Sequence, residues 1–314
     1  MPSSSLGFHS GQERRRVPPN KEGPLPSSPP RNAKVTASGP ESELPVTLLL
    51  RWNASMSFFH FVLFIVTVSA GNIDLTVKTY RTALDFVERS NTTGWDLIPY
   101  YVEANKMPFT ILTALFFLIT SIAHLLNCTA FRRIYLKGLS ECRTPLRWIE
   151  YSLSAPIMIL LISYALGVRE RSLLAAIFGL VTTTMFFGQW AEERARPLNA
   201  EQWESPFTSR IFPLLLGHVP QIFAWGVIIL QFYDAGFDQE DSIPWWVHFI
   251  LWTELFLFFS FAAASFLSQS LPPRLFYRGE ILFQVLSLVS KGLLGSVLLA
   301  NVLMLSSFDD VYKS

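Results

Sequence analysis

Seven apolar stretches constrain this chain more than any other feature. They lie at 49–70, 107–128, 146–167, 172–190, 211–232, 244–268 and 280–305. At about 1.5 Å per residue, each is long enough to cross the hydrocarbon core of a bilayer as a helix. Only 16% of the residues are charged, against about 25% in soluble domains. The pattern therefore predicts an all-α membrane protein, a bundle of seven transmembrane helices.

The N-terminal segment differs from the rest of the chain in composition. Residues 1–47 are rich in Pro, Ser and Arg and contain no apolar run. Such a composition cannot bury a core, so it predicts a disordered tail. We therefore divide the chain into this tail, a seven-helix domain at 48–305 and a short C-terminal tail at 306–314. The net charge of +1 argues against nucleic acid as a partner.

The distribution of basic residues predicts the orientation. Seven crossings place the termini on opposite sides, and an inside N-terminus puts 17 Lys and Arg inside and 7 outside. The positive-inside rule then predicts a cytoplasmic N-terminus and an extracellular C-terminus, the reverse of ordinary seven-helix receptors. The first outer loop, 71–106, is long for its position. Alternation over 75–80 predicts a short strand there, and the loop is a candidate oligomer contact or cover for the outer face.

Lys291 lies near the middle of the seventh stretch. A lysine there costs about 2.5–3.5 kcal/mol on insertion scales, so it marks a function by default. Among acids we place only Glu150, in the third stretch, and Glu254, in the sixth, at comparable depth. A buried amine with a carboxylate on another span is the arrangement that a protonated retinal Schiff base and its counterion require.

Helical spacing groups further residues around this pair. Ser287 precedes Lys291 by four residues, so its hydroxyl is expected one turn inward, within reach of the imine nitrogen. Glu150, Ser154 and Met158 share a face of the third span by the same spacing. We expect these side chains to border the chromophore.

Two histidines are expected on the inner side of the lysine. His60, His124 and Glu150 each lie roughly 10–14 Å from the inner boundary at the helical rise, whereas Lys291 lies roughly 20 Å in. Glu150 is thus several ångströms shallow for a direct contact unless the helices are offset. Trp225 and aromatic residues of the sixth span are candidates for the walls of the chromophore site.

Simpler interpretations of these residues stay open at this point. Lys291 could be a structural ion-pair partner, and Glu150 could pair with Arg147 at the interface. The histidines could be hydrogen-bonded bundle residues. Glu254 could hydrogen-bond a neighbouring helix.

Several residue strings resemble one family, the heliorhodopsins. Arg-Trp-Ile-Glu-Tyr-Ser-Leu-Ser at 147–154 is similar to its third-helix signature, in which the glutamate is the counterion. Ser-Leu-Val-Ser-Lys at 287–291 resembles its retinal-lysine motif. His60 and His124 match the paired inner histidines of the family, and the inverted orientation is its hallmark. The resemblance covers about residues 48–305.

The resemblance implies a photoreceptor and not an enzyme. All-trans retinal is expected on Lys291, with Glu150 as the counterion. Light would release the Schiff-base proton toward Glu150, His60 and His124, and its slow return would give a long-lived signalling state. A homodimer in the lipid bilayer and an unknown cytoplasmic signalling partner are also implied. Pro156 and the Gly-Leu-Leu-Gly-Ser run after the lysine depart from the family pattern and bear on the pocket shape.

Two other functions are weighed against this one. The first is a light-gated proton channel or transporter with the same chromophore, in which Glu254 lies on the path, on the outer side of Lys291. The second is a receptor or transporter without a chromophore. The reversed orientation, the absence of Asp-Arg-Tyr and Asn-Pro-x-x-Tyr motifs from the sequence, and the lack of an inverted repeat argue against it.

Overall fold

A computed structural model describes residues 44–89, 93–196, 206–236 and 243–306. Within these ranges the chain forms eight α-helices and one β-hairpin. In chain order they are α1 (Val46–Ala70), β1 (Thr76–Glu88), β2 (Trp95–Pro108), α2 (Phe109–Cys128), α3 (Arg132–Ser140), α4 (Pro145–Ala165), α5 (Arg171–Ala195), α6 (Phe207–Gly236), α7 (Trp245–Ser270) and α8 (Phe276–Leu298). A 3₁₀ turn, Pro273–Leu275, precedes α8, and a π turn, Leu299–Leu303, follows it.

All of these helices except α3 are long and apolar enough to cross a membrane. They correspond one to one to the seven predicted stretches, so the predicted seven-helix bundle is confirmed. The helix α1 begins at Val46, two residues before the predicted domain boundary. The rest of the predicted tail, residues 1–43, lies outside the described residues.

The seven long helices close into a ring in chain order. Each packs against the next, and α8 returns to α1. The helix α4 also contacts α7 across the ring and is the most buried of the seven. Glu150 on α4 and Lys291 on α8 are both buried in the interior of this ring. We call the side where α1 begins the N-terminal face and the opposite side the hairpin face.

A long antiparallel hairpin stands between α1 and α2. The alternating pattern predicted only a short strand, yet the strands run for 13 and 14 residues. Their pairing aligns Phe86 with Leu97 and Glu88 with Trp95, with a bulge between Thr79 and Tyr80. Because side chains alternate across a strand, one face of the outer half carries an exposed apolar stripe. We call Leu84, Phe86, Trp95, Leu97 and Tyr101 the hairpin stripe.

The root of the hairpin is fastened to the far end of the chain. The Asn72 backbone N–H donates to Leu303 O at 2.6 Å, and Asn72 Nδ2 donates to Leu305 O at 3.0 Å. The Thr110 hydroxyl donates to Asn72 O at 2.6 Å. The end of α1, the start of α2 and the turn after α8 are therefore joined at one point.

The short helix α3 lies on the N-terminal face. Its buried side chains Tyr135 and Leu139 pack against Leu49, Cys142 and Phe276, so the helix rests on the ends of α1 and α8. The opposite side of α3 is exposed. A nine-residue helix offers too few turns for its period to stand out in the sequence, and it was not predicted.

Candidate functional site

Lys291 and Glu150 meet inside the bundle. Lys291 Nζ lies 2.6 Å from Glu150 Oε1, and both side chains are buried. The depth estimate from helical rise left a gap between them, which the packing of α4 beside α2 and α8 and the length of the lysine side chain close. The alternative in which Glu150 pairs with Arg147 is wrong, because Arg147 binds two other glutamates.

Two hydroxyl groups complete the surroundings of this pair. The Thr120 hydroxyl accepts a hydrogen bond from Lys291 Nζ at 2.6 Å and donates one to Glu150 Oε1 at 2.6 Å. The Ser154 hydroxyl donates to the same oxygen at 2.7 Å. Thr120 was not predicted from the sequence. Its position four residues before His124, and thus on the same face of α2, is the signal that points to it.

The two predicted histidines lie together. The rings of His60 and His124 stack with centroids 5.9 Å apart and an interplanar angle of 24°. His60 Nδ1 lies 2.8 Å from Met56 O, and His124 Nδ1 lies 2.9 Å from Asn53 Oδ1. Both partners are oxygens that only accept, so each Nδ1 carries the hydrogen. In the neutral rings each Nε2 is therefore a free base, and His60 Nε2 is buried without a partner in the described residues.

A cavity bordered mostly by apolar and aromatic side chains has Lys291 in its wall. With its open mouth included, it holds about 790 Å³ of free space. Of the predicted residues, Ser154, Met158 and Ser287 line it. The lining residues that were missed from sequence include Tyr151, His218 and Gln221.

Two predictions about this cavity need correction. Trp225 is fully buried but does not line the cavity. It packs edge-on against Phe258, which does, at a centroid distance of 5.4 Å. The Ser287 hydroxyl borders the cavity yet makes no hydrogen bond to Lys291, whose ammonium turns toward Thr120 and Glu150 instead. Helical spacing gave the face of Ser287 and could not give the direction of the lysine side chain.

A second buried ionic group lies between Lys291 and the N-terminal face. Arg147 donates to Glu280 Oε2 at 2.5 Å and to Glu192 Oε1 at 2.9 Å. Glu192 also accepts from the Thr144 backbone N–H and from Trp148 Nε1, both at 2.9 Å. Among the acids, only Glu150 and Glu254 were predicted to lie deep in the bundle. Glu192 and Glu280 were not predicted, because Glu192 lies two residues beyond the stretch 172–190 and Glu280 is the first residue of the stretch 280–305.

Glu254 is also fully buried, near the lysine. Its Oε2 accepts a hydrogen bond from the hydroxyl of Ser290, the residue before Lys291, at 2.7 Å. Its Oε1 has no hydrogen-bond partner among the described residues. Glu254 on α7 thus contacts α8 at the residue before the lysine, whereas Glu150 on α4 contacts the amine itself.

A family model described as heliorhodopsin matches residues 49–303. The chain belongs to the heliorhodopsin family. The resemblance seen in the third- and seventh-helix strings is thereby confirmed. Among curated protein sequences, none matches the chain.

Two solved microbial rhodopsins share the fold of this heliorhodopsin. A cyanorhodopsin from the cyanobacterium Tolypothrix sp. NIES-4075 aligns at a TM-score of 0.57 and 10% identity, covering 85% of this chain and 96% of its own. The thermophilic rhodopsin from Rubrobacter xylanophilus aligns at 0.52 and 14% identity, covering 86% and 100%. At such low identity the likeness concerns the fold alone.

Membership of a rhodopsin family implies a retinal-binding, light-responsive membrane protein. The site residues fit that group on their own chemistry. Retinal is an elongated apolar molecule with one aldehyde, and the cavity offers apolar and aromatic walls that include a lysine, the source of a primary amine. The amine has a carboxylate at hydrogen-bond distance to balance a positive charge.

Proposed function

We propose that this heliorhodopsin is a light-sensing photoreceptor that holds all-trans retinal on Lys291 Nζ. The observation that carries the proposal is the contact of Lys291 Nζ with Glu150 Oε1, because Lys291 also lines a mostly apolar cavity. A lone buried cation would be expensive there. An amine already paired with a carboxylate can instead keep its charge after it has condensed with an aldehyde.

The residues around the amine can then hold and move one proton. Bound retinal supplies light absorption and a change of shape on isomerisation. Glu150 balances the positive charge at Nζ, while Thr120 and Ser154 fix the position of its Oε1. His124 lies one turn from Thr120 on α2, and His60 stacks on it, with an Nε2 that has no hydrogen-bond partner among the residues that the structure describes. We assign these two rings as the acceptors that store the proton, and its slow return sets the lifetime of the signalling state.

The cellular context forms part of the same proposal. The N-terminus and α3 lie in the cytoplasm, as the positive-inside count predicts, and an unidentified cytoplasmic partner reads the signal. The protein is a homodimer in the bilayer. The hairpin stripe supports this, because five large apolar side chains at least half exposed on one face are typical of a contact surface.

The test is the visible absorption spectrum of protein purified after addition of all-trans retinal. The wild type is expected to show a visible band that hydroxylamine bleaches in the light. Lys291→Ala should fold and lack the band, and Lys291→Arg should behave alike, because a guanidinium does not form the imine. Lys78→Ala, on the hairpin, is the matched lysine control and should keep the band. A retinal-loaded, coloured Lys291→Ala protein would overturn the proposal.

Proton conduction is the second candidate, favoured by the position of Glu254. Its hydrogen bond to Ser290 places a buried carboxyl group next to the lysine, on a helix other than that of Glu150. Groups on two sides of the lysine are what a light-gated proton path requires. Light-evoked currents in a voltage-clamped cell that Glu254→Gln abolishes, while the visible band remains, would support it. Currents absent at every voltage in the wild type would remove it.

A further inference from the structure

The exposed side of α3 is a basic surface beside the membrane. Arg133 and Lys137, four residues apart, share one face, and Ile134, 53% exposed, lies beside them. Arg132 opens the helix only four residues after α2 ends at Cys128, so α3 lies close to the membrane boundary. Cationic side chains next to an exposed apolar one are typical of a helix that lies in the interface.

The charges on this face are available to an outside partner. Among the described residues, the one ion pair on α3 joins Lys137 to Glu141 at 3.9 Å, with the lysine side chain 72% exposed. Such surface pairs contribute little. Arg132 and Arg133 form no ion pair within the described part of the chain.

The buried side of the same helix connects to the histidine pair. The Tyr135 hydroxyl accepts a hydrogen bond from Asn53 Nδ2 at 3.0 Å. Asn53 Oδ1 in turn accepts from His124 Nδ1 at 2.9 Å. Asn53 is held in this orientation because its Nδ2 also donates to Leu49 O at 2.9 Å. Two hydrogen bonds therefore separate α3 from a ring that we assign to proton storage.

Tyr135 also touches the helix that bears the lysine. Gln284 Nε2, on α8, lies 3.4 Å from the Tyr135 hydroxyl and donates to Glu280 Oε1 at 2.9 Å. A displacement of α3 would thus disturb the hydrogen bonds of α1 and α8 together. Burial raises the pKa of the Tyr135 phenol well above its ordinary value, so this hydroxyl stays protonated and acts by its position.

We propose that α3 binds the headgroups of anionic phospholipids through Arg132, Arg133 and Lys137, and thereby sets the position of Tyr135 and the rate at which the proton stored at His124 returns. The inference rests on the proposed function and on the cytoplasmic location of α3. Charge complementarity selects the partner, because the cytoplasmic leaflet is the one that carries anionic lipids. Ile134 and Phe131, 53% and 39% exposed, would enter the headgroup region beside the charges.

The first test measures lipid binding without reference to light. Retinal-loaded protein is placed in nanodiscs of phosphatidylcholine with phosphatidylglycerol, and retained lipids are counted by native mass spectrometry. Each cation near the surface contributes about fivefold to binding, so Arg133→Gln/Lys137→Gln should weaken phosphatidylglycerol retention on the order of 20-fold. The matched control Arg81→Gln/Lys106→Gln removes the same charge from the hairpin and should retain as much anionic lipid as the wild type.

The second test measures the recovery of the visible band after a flash. In the wild type, recovery should differ severalfold between nanodiscs with and without phosphatidylglycerol. The α3 double variant should lose that dependence, and the hairpin control should keep it. Tyr135→Phe should retain anionic lipid like the wild type but recover at a rate independent of lipid. This separates coupling through Tyr135 from the general effect of a charged surface on local pH, which Tyr135→Phe leaves in place.

The failures of the two proposals are distinguishable. Equal lipid retention in the α3 variant and the wild type, or unchanged lipid dependence in Tyr135→Phe, would overturn the role of α3 while the visible band stands. A wild type without any visible band would instead remove the photoreceptor function, whatever lipids remain bound.

Discussion

One oxygen atom holds the centre of the site together. Glu150 Oε1 lies within 2.7 Å of Lys291 Nζ and of the hydroxyls of Thr120 and Ser154. Charge-assisted hydrogen bonds of this length are roughly twice as strong as neutral ones. Removing the cation or the carboxylate alone would leave the other charge buried and unpaired. Removing one hydroxyl would take away a single hydrogen bond to the carboxylate and leave both charges paired.

This difference predicts how variants titrate. Glu150→Gln keeps the side-chain shape but leaves the nitrogen charge without its partner, which costs about 3–5 kcal/mol. The pH at which half of the visible band is lost should therefore fall by about 2–4 units, measured as absorbance against pH. Ser154→Ala removes one hydrogen bond to the same oxygen and should shift that pH by only about 1 unit. Equal shifts would contradict the charge pairing.

At the level of single residues, sequence reasoning found what is chemically exceptional. Lys291 and Glu150 stand out because ionisable groups inside apolar stretches are rare. Thr120 does not stand out, because threonine is common in membrane helices and only its contacts reveal its role. The direction of the Lys291 side chain, away from Ser287, depends on four rotatable bonds that spacing along a helix does not determine.

Among the elements, α5 shows how one missing side chain shapes the cavity. A methyl group added at Gly188 would overlap the ring of Trp148, whose Nε1 donates to Glu192. Gly188→Ala should therefore displace the Trp148 indole and lower the free energy of unfolding by about 1–3 kcal/mol. Gly179→Ala is the control on the same helix, with nothing within 4 Å of the added carbon. It should be neutral or stabilise by up to about 1 kcal/mol.

The thermal midpoint in detergent and the position of the visible band are the two measurements for this pair. Trp148 and Gly188 both line the cavity, so Gly188→Ala should also shift the band, and Gly179→Ala should leave it in place. A band shift of the same size in both variants would mean that the cavity wall is elsewhere.

The start of α5 gives a prediction that depends on pH. Glu170 caps this helix, with its Oε2 accepting from the Leu173 backbone N–H at 2.7 Å. Burial alone would raise the pKa of Glu170, but hydrogen bonds from Ser172 and Leu173 hold it below its ordinary value. A lowered pKa stabilises the fold at pH values above the ordinary one, about 4.3, and that contribution is lost as the pH falls through the folded value.

Glu170→Ala should accordingly lower stability by about 0.5–2 kcal/mol at pH 7. The difference from the wild type should shrink at acid pH, below about 4, as thermal midpoints at the two pH values would show. Glu193→Ala, an exposed glutamate near the other end of α5, is the control and should stay within about 0.5 kcal/mol. A loss that is the same at both pH values would argue against a charged cap.

The long helices were predictable because a helix that crosses the bilayer must be predominantly apolar along its whole length. The hairpin was largely missed for the opposite reason. Its strands are interrupted by charges and by Pro99, and only residues 75–80 alternate cleanly. A strand that is exposed on both faces leaves no period-two signal to read.

At the scale of the whole molecule, the hairpin stripe is the surface to which we assign the proposed dimer contact. Phe86 and Leu97, 65% and 55% exposed, are aligned on the same face. Phe86→Asp/Leu97→Asp should turn the proposed dimer into a monomer, because two carboxylates would be buried without partners at the contact. Size-exclusion chromatography with light scattering measures the outcome. Ile98→Asp, on the opposite face of the hairpin, should remain dimeric, and a dimeric double variant would move the contact elsewhere.

The bundle as a whole follows from the order of spans, and its orientation follows from where the Lys and Arg residues fall. The seven-helix bundle is confirmed by the structure. The orientation stays a prediction, because the structure of a bundle is the same whichever face lies in the cytoplasm. The count of Lys and Arg residues predicts the orientation in the membrane and not how the helices pack.

The clasp of Asn72 to Leu303 and Leu305 has a consequence for biosynthesis. The two sides of the Asn72–Leu305 hydrogen bond are 233 residues apart in the chain. At ribosomal rates of about 5–20 residues per second, roughly 12–47 s pass between the synthesis of Asn72 and that of Leu305. For that time the loop between the first two spans carries an exposed apolar stripe and lacks its hydrogen bonds to the end of the chain. Newly made copies on one messenger could therefore meet through their hairpins before either chain is complete.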